Sequence, residues 1–331
     1  MWCRLGCWLL SWLLLAATST AQNIQSRAES LLEHARQISD IRSPNAHPFH
    51  LSATFSFIDK KLDSAHGTYT ETWVSNTQWR RDTTVGDLHR VEIAEGKKLW
   101  LLDVGNLPSQ ALRMADLLRV APRPSQLKVD SIVDRRDNHP PEDCLIMKGG
   151  PRDGKFGFCF DKLSGIIIEK VSPEIRPRNA GDYSCVYGRF RQFETFWFPN
   201  EIACYRDRHH DIDVDVTELS EETSPNLAQF TPPSGAIELA NCLTSIVPPK
   251  AVSTNTIALP PDFSSDQTAL VELLIDIHGK PQDIHVLQSG GKRTDEAAVA
   301  TVRNWRFKPA TCDGEAVPVQ IRTNIDWRFL H

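Results

Sequence analysis

One short stretch of the sequence carries side chains of the kind that bind divalent cations. Residues 209–215 read His-His-Asp-Ile-Asp-Val-Asp. Side chains alternate between the two faces of an extended strand, so one histidine and three carboxylates would share a face, namely His209, Asp211, Asp213 and Asp215. Imidazole and carboxylate groups are ligands for such cations. One hypothesis is therefore a metal-dependent hydrolase of the cell envelope.

A solvent-facing edge strand has the same alternation without any metal. Arg206 and Arg208 precede the run and mix the charge, which favours this second interpretation. The sequence also contains no G-x-S-x-G, H-E-x-x-H or Walker motif. We therefore predict a protein that binds rather than catalyses, with no catalytic residue, no metal and no cofactor.

The start of the chain has the pattern of a signal peptide. Arg4 is followed by a mostly apolar run from Leu5 to Ala17, and small residues stand at Ser19 and Ala21. A membrane span needs about 20 apolar residues, which is more than this run provides. The pattern predicts residues 1–21 to be a signal peptide cleaved after Ala21. A retained membrane anchor is the alternative.

Six cysteines remain after the leader, and an even number in an exported chain favours disulfides. Two pairs each flank strand-like runs, and two cysteines are then left in the last third of the chain. We predict sequential pairing, which joins Cys144 to Cys159, Cys185 to Cys204, and Cys242 to Cys312. Free buried thiols are the alternative. A zinc finger would need closely spaced cysteines, and the sequence has no C-x-x-C.

Composition and charge restrict the class of protein. The chain has 331 residues, of which 40% are apolar and 24% are charged, enough for about two globular domains. The formal net charge is -5. Phosphate binding needs a basic face, so this charge argues against a general nucleic-acid binder and we expect no nucleic-acid partner.

The spacing of apolar residues changes along residues 22–232. Residues 24–41 have apolar side chains at three- and four-residue intervals, which predicts a helix. Residues 49–57 alternate apolar and polar side chains, which predicts a strand with one dry face. Many short strand-like runs follow, up to residue 219. They indicate a large antiparallel sheet or open barrel with helices.

Two further segments complete the chain. Residues 233–255 are rich in Pro, Ser and Thr, which predicts a linker. From Val271 two alternating runs are followed by a helix that Thr294 can cap, and alternation resumes up to Phe329. Residues 256–331 are therefore predicted to form a small ββαβ domain.

This last segment resembles the C-terminal domain of the TonB family. The matching strings are Val-Glu-Leu-Leu-Ile-Asp-Ile-His-Gly-Lys-Pro at 271–281, Ser-Gly at 289–290 and Asp-Glu-Ala-Ala-Val at 295–299. Arg-Asn-Trp-Arg-Phe-Lys-Pro-Ala at 303–310 and Asp-Gly at 313–314 complete the pattern. The resemblance implies that a short extended segment of an outer-membrane receptor, or of another envelope protein, adds as a strand to the sheet edge.

The resemblance also implies which strand forms that edge. It is the last one, represented by Val317, Val319, Ile321, Thr323, Ile325, Trp327 and Phe329. A covered core strand or a homodimer seam is the alternative. A membrane-anchored TonB-type energy transducer for outer-membrane receptors is an alternative for the whole protein.

Residues 25–220 more weakly resemble the LolA/LolB class of periplasmic lipoprotein carriers. The likeness depends on the N-terminal helix, the Phe-rich strand 49–57, the Gly-Thr-Tyr at 67–69, and the aromatic run from Phe190 to Phe198. It implies an incomplete barrel whose apolar face holds acyl chains. The lining would include Phe49, Leu51, Phe55, Phe57, Tyr69, Trp73 and Trp100. The alternative is that these aromatic residues pack a core.

Together these patterns predict an α+β protein of two domains. Residues 22–232 would be a LolA-like lipid- or lipoprotein-binding domain, and residues 256–331 a TonB-type docking domain. The predicted location is the periplasm, and the predicted function is binding and transport rather than catalysis.

Overall fold

The computed structural model describes residues 6–57, 65–121, 129–135, 141–147, 157–174, 181–206, 208–242, 246–254 and 267–327. Its α-helices are α1 (Gly6–Ser39), α2 (Met114–Leu117) and α3 (Lys292–Arg303). The first eleven strands are β1 (Phe49–Phe57), β2 (Ala65–Ser75), β3 (Gln78–Val85), β4 (Leu88–Glu95), β5 (Lys98–Val104), β6 (Val129–Arg135), β7 (Glu142–Met147), β8 (Gly157–Asp161), β9 (Ile167–Glu174), β10 (Gly181–Phe193) and β11 (Phe196–Arg206).

The later strands are shorter on average. They are β12 (His209–Glu221), β13 (Ile237–Ala240), β14 (Ile246–Val247), β15 (Lys250–Ser253), β16 (Gln267–Ile275), β17 (Pro281–Gln288), β18 (Arg306–Lys308), β19 (Ala310–Cys312), β20 (Glu315–Val317) and β21 (Val319–Trp327). The α+β prediction is confirmed, because antiparallel strands form an open sheet with few helices and a small ββαβ arrangement follows.

The chain divides into two compact units that are not consecutive in sequence. The first contains α1 and β6 to β11, and the second contains β1 to β5, α2, β12 to β21 and α3. The C-terminal ββαβ segment therefore belongs to the same compact unit as the strands that begin at Phe49.

In the first unit, β11, β10, β9, β8, β7 and β6 follow one another as an antiparallel meander. The predicted helix is present in α1, where Ala28, Leu32 and Ala35 form the buried stripe. Arg27 on α1 forms an ion pair with Asp143 on β7, with 2.8 Å between Nη2 and Oδ2. This helix is thus held by apolar packing and by a partly buried charge contact.

Two disulfides of the first unit join residues that lie directly opposite each other on neighbouring strands. Cys144 on β7 pairs with Cys159 on β8, and Cys185 on β10 pairs with Cys204 on β11. In the second unit, Cys242 pairs with Cys312. This is the sequential order that the sequence analysis predicts.

The second unit is built on an antiparallel sheet with the order β13-β5-β4-β3-β2-β1-β12. The alternation predicted for residues 49–57 is seen in β1, where every odd-numbered residue is buried. Phe49 stacks on Trp73 of β2, with ring centroids 5.5 Å apart. Gly67 of β2 faces Phe55, and a Cβ at this glycine would lie 2.2 Å from the Phe55 ring. A larger residue there would displace the aromatic layer.

The C-terminal segment folds as a three-stranded sheet of order β17-β16-β21 with α3 packed on one face. Its buried core contains apolar side chains from β16, β21, α3 and the short strands β18 and β19, and Ile284 and Val286 of β17 pack against it. The core residues include Val271, Leu273, Ile275, Ala298, Val302, Phe307, Ala310, Val319 and Ile325. In the sequence, the strands β18, β19 and β20 come between α3 and β21.

The segment predicted to be a linker contains three short strands. β13 pairs with β5, β14 with β19, and β15 with β18. Leu239 of β13 is buried against Leu101 and Leu274, and Cys242 follows in its disulfide. Because Pro, Ser and Thr also occur in edge strands, composition alone did not reveal these anchors.

We expect the Cys242–Cys312 disulfide to stabilise the folded state more than the Cys144–Cys159 disulfide. The two bonds close loops of 70 and 15 residues, and the longer loop loses more entropy in the unfolded chain when it is closed. Cys242→Ser/Cys312→Ser should lower the free energy of unfolding by about 4 kcal/mol, and Cys144→Ser/Cys159→Ser by about 3 kcal/mol. Urea unfolding measures both, and a larger loss from the second pair would contradict this expectation.

Candidate functional site

β21 lies at one edge of the C-terminal sheet and pairs with β16. Its nine residues keep an unbroken antiparallel register from Val319 to Trp327. Among the described strands, none pairs with the edge of β21 that faces away from β16. The outer N–H and C=O groups of β21 are therefore oriented as an incoming strand would need them.

Several side chains predicted to form the binding edge contribute to the core. Val319 and Ile325 are buried, and Val317 and Ile321 pack against the same core. Thr323 is half-buried, the side chain of Trp327 lies outside the described side chains, and Phe329 lies outside the described residues. Binding at this edge would accordingly use the main chain of β21 rather than these apolar side chains.

The opposite edge of the sheet, β17, is much less suited to strand addition. It begins with Pro281, its register with β16 shifts at two places, and Asp283 has φ of 44°. Prolines and bulges interrupt the regular array of backbone groups that a new strand requires. The two edges differ, and the regular one is β21.

The end of β13 covers the edge of the sheet just before β21 begins. The N–H of Ala240, at the end of β13, donates a hydrogen bond of 3.3 Å to the carbonyl oxygen of Pro318. An added strand would therefore have room from about Val319 onwards.

The face of the C-terminal sheet that points away from α3 carries a buried carboxylate, that of Glu272 on β16, which is 1% exposed. Arg90 of β4 donates to its Oε1 at 3.1 Å, and Arg322 of β21 donates to its Oε2 at 2.9 Å. Arg90 also donates to both carboxylate oxygens of Asp103, at 2.6 and 2.8 Å, and Arg322 donates to Asp116 at 2.9 Å. A buried charge requires such partners because its desolvation is costly.

Arg90 is fixed in its charged state by these contacts. Burial by itself would lower its pKa, but the hydrogen bonds to Asp103 and the charge of Glu272 outweigh burial and raise the pKa above its ordinary value. β16 thus has an apolar face toward α3 and an ion-paired face toward β4.

Six of the seven residues predicted to line a lipid cavity lie in one packed layer of β1 and β2, whereas Trp100 of β5 packs against a separate cluster that contains Val91, Ile93 and Phe230. Phe49, Leu51, Phe55, Phe57, Tyr69 and Trp73 are buried and Trp100 is half-buried. A cavity of about 540 Å³ lies beside strands β1 to β3, and of the seven residues it touches Phe55. Its other lining groups are mainly polar, including Thr54, Ser56, His66, Thr68 and Asp215.

A buried ionic cluster that the sequence analysis missed lies next to this aromatic layer. Glu71 of β2 is fully buried and forms a two-point ion pair with Arg42. Arg81 donates to Glu71 from two nitrogens at 3.1 Å, and the Tyr69 hydroxyl donates to it at 3.0 Å. Arg42 also donates to the carbonyl oxygen of Leu118 at 3.2 Å. The only sequence signal for this cluster is that Glu71 and Arg81 occupy positions on the apolar face of neighbouring predicted strands.

The His209–Asp215 run does not assemble a three-ligand cation site among the described residues. The exposed side chain of His210 lies beside that of Asp213, with 2.9 Å between Nε2 and Oδ1. Asp211 is buried and accepts a 3.3 Å hydrogen bond from Gln110. Asp211 is buried, Asp213 is half-buried and Asp215 is exposed, so the predicted row of carboxylates does not face solvent as one set, and the histidine beside Asp213 is His210 rather than the predicted His209.

We expect Glu71→Gln to lower the free energy of unfolding by about 3–5 kcal/mol at pH 7, since it leaves two buried guanidinium groups without their counter-charge. Burial would raise the pKa of Glu71, but the charges of Arg42 and Arg81 lower it well below its usual range. This stabilisation is therefore present above the unfolded-state pKa of about 4.3 and is lost as the pH falls below it.

Urea unfolding at pH 7 and pH 3 measures this effect. The difference between the wild type and Glu71→Gln should shrink at the lower pH. Glu238→Gln is the matched control, because Glu238 forms an exposed ion pair with Lys98 and should give little change. An equal loss in both variants would contradict the assignment of Glu71 as a stabilising buried charge.

No curated protein sequence matches the chain. Among solved structures, a LolA superfamily protein from Nitrosomonas europaea is 13% identical, with 62% of this chain and 97% of that chain covered and a TM-score of 0.43. A domain described as that of an outer membrane lipoprotein-sorting protein from Vibrio parahaemolyticus is 12% identical, with 62% and 97% covered and a TM-score of 0.41. A DUF1329 family protein from Desulfovibrio piger is 8% identical, with 61% and 96% covered and a TM-score of 0.41.

Within the part of the chain that the structure describes, no helix has the length and apolar character of a membrane span.

The family model of the Gram-negative bacterial TonB protein C-terminal domain matches residues 267–329. This range contains β16, β17, α3 and β21. The resemblance to the TonB C-terminal domain is therefore confirmed for residues 267–329 of this chain.

Proposed function

We propose that this chain is an exported protein of the Gram-negative periplasm that binds an envelope partner by adding the partner's extended segment to β21. The observation that carries this proposal is the contrast between the two edges of the TonB-type sheet. β21 is regular over nine residues, and β17 begins with proline and contains irregular pairing.

The core of the TonB-type segment is complete without a partner strand. Val319 and Ile325 already bury their side chains in it, so an added strand would satisfy main-chain groups rather than fill a gap. Backbone hydrogen bonds of this kind provide affinity, while side chains on either side of the new strand provide specificity. An outer-membrane receptor segment is the partner class that the family match favours.

The aromatic layer of β1 and β2 supports a second part of the proposal, the binding of acyl chains. Phe49, Phe55, Phe57 and Trp73 are all buried on one face of these strands, and Glu71 is the charged residue that interrupts this face on β2. Because these side chains are packed, an acyl chain would enter only if the layer opened. We propose that the protein transfers a lipid or lipoprotein by binding and release, with no covalent chemistry.

Proline substitution on β21 tests the docking edge. Successive residues of a strand point their N–H groups to opposite edges, so of Thr323 and Asn324 one faces β16 and the other faces outward. Thr323→Pro and Asn324→Pro should therefore differ, because one removes an internal hydrogen bond and the other removes only an outward donor. The variant that keeps the wild-type melting temperature should lose partner binding.

The binding measurement uses a photo-crosslinking residue at Gln320 in the full-length chain, expressed in Gram-negative cells. Mass spectrometry of the crosslinked peptides should identify an extended segment of an outer-membrane protein in the wild type, and at least tenfold less in the stable proline variant. Equal crosslinking of the same segment in both would refute strand addition at β21.

Acyl-chain binding is tested with a fluorescent 16-carbon fatty acid. We expect saturable binding that unlabelled palmitate displaces, with at least tenfold weaker binding in Phe57→Gln, because an amide would stand in the apolar layer. Trp197→Gln is the control, since Trp197 is an exposed aromatic residue outside this layer. Circular dichroism verifies folding, and absence of displaceable binding in the wild type would refute the acyl-chain proposal.

A further inference from the structure

A cluster of three possible metal ligands lies where β5 and β17 come together in the second unit. Asp103 belongs to β5, and Asp283 and His285 belong to β17. One ligand atom from each residue lies within 4.8 Å of the other two. Two ligands at about 2.1 Å from a shared zinc ion are at most about 4.2 Å apart, so small side-chain movements would bring all three into contact with one ion.

Each member of this set is suited to coordination. The side chains of His285 and Asp103 are 15% and 12% exposed, while that of Asp283 is 33% exposed, which leaves a route for an ion from solvent. His285 Nε2 and Asp283 Oδ1 are 2.9 Å apart. One imidazole and two carboxylates form a mixed nitrogen and oxygen ligand set that suits zinc and neighbouring first-row metals.

Arg90 holds Asp103 in place and does not exclude a cation. It donates one hydrogen bond to each carboxylate oxygen of Asp103, and each oxygen retains a further lone pair. Such support of a ligand by a neighbouring group is common around metal sites. Arg90 and Arg322 also pair with Glu272, and Arg322 pairs with Asp116, so this group contains two guanidinium groups and four carboxylates once Asp283 is included. The local excess of negative charge favours an added cation.

We propose that Asp103, Asp283 and His285 form a binding site for a divalent transition-metal ion, with water completing the coordination. The ion would link β5 to β17 and so join the TonB-type sheet to the strands that begin at Phe49. It would act as a structural link rather than as a catalyst, and the site is independent of strand addition at β21.

Zinc titration of the full-length, tag-free protein tests this site after dialysis against a chelator. We expect one zinc ion per chain by isothermal titration calorimetry, and a rise in melting temperature of several degrees at zinc concentrations well above the dissociation constant. His285→Gln and Asp283→Asn should weaken zinc binding at least tenfold and abolish the thermal shift. Asparagine is used because it tolerates the positive φ of residue 283.

His210→Gln is the matched control, because His210 Nε2 lies 2.9 Å from Asp213 Oδ1, the separation also found at His285, and among the described residues this pair belongs to no three-ligand cluster. It should keep zinc binding at the wild-type level. Melting temperatures of the metal-free variants separate loss of binding from loss of folding. If wild-type protein binds no zinc, or if all three variants bind it equally, the proposal is overturned.

Discussion

A single buried carboxylate determines how the TonB-type segment is built into this protein. Glu272 is on the face of β16 that points away from α3, and it is almost completely removed from solvent. An unpaired carboxylate in that position would be strongly unfavourable, so the guanidinium groups of Arg90 and Arg322 must reach it. Since Arg90 belongs to β4, the fold of this segment depends on a strand far earlier in the chain.

This dependence affects the docking edge. Arg322 is part of β21 and is held by Glu272 and Asp116. Apolar contacts also hold this sheet against the earlier strands, because Leu274 of β16 packs with Leu101 and Leu239. The proposed binding strand is thus supported on both faces of the sheet before any partner arrives. A preorganised edge loses less conformational entropy on binding than a mobile one.

The aromatic layer shows a similar combination of apolar packing and buried charge. The rings of Phe49 and Trp73 stack, and the guanidinium of Arg42 lies 5.5 Å from the Phe49 centroid while it pairs with Glu71. Opening this layer for an acyl chain would have to leave the Arg42–Glu71–Arg81 cluster intact, because separating its charges costs more than exposing one ring. The proposed binding and release of lipid would therefore require the apolar side chains, and not the ionic cluster, to move.

Residues that are close together in the sequence were enough to predict the local elements. Alternation fixed β1 and β16, three- and four-residue spacing fixed the later part of α1, and the Trp-Arg-Phe-Lys-Pro-Ala pattern identified the TonB-type segment. These features depend on neighbours in the sequence, which is why periodicity reveals them. Two of the three sequential cysteine pairs join strands that are also neighbours in the sequence.

The ionic partners and the role of residues 233–255 became visible only in the folded chain. Arg42 and Glu71 are 29 residues apart, and Arg90 and Glu272 are 182 residues apart. Charged side chains have no period that marks their partners, since an ion pair depends on distance in space and on removal from water. For the same reason, a Pro-, Ser- and Thr-rich segment that looks like a linker forms β13, because Leu239 meets Leu101 and Leu274 only in the folded protein.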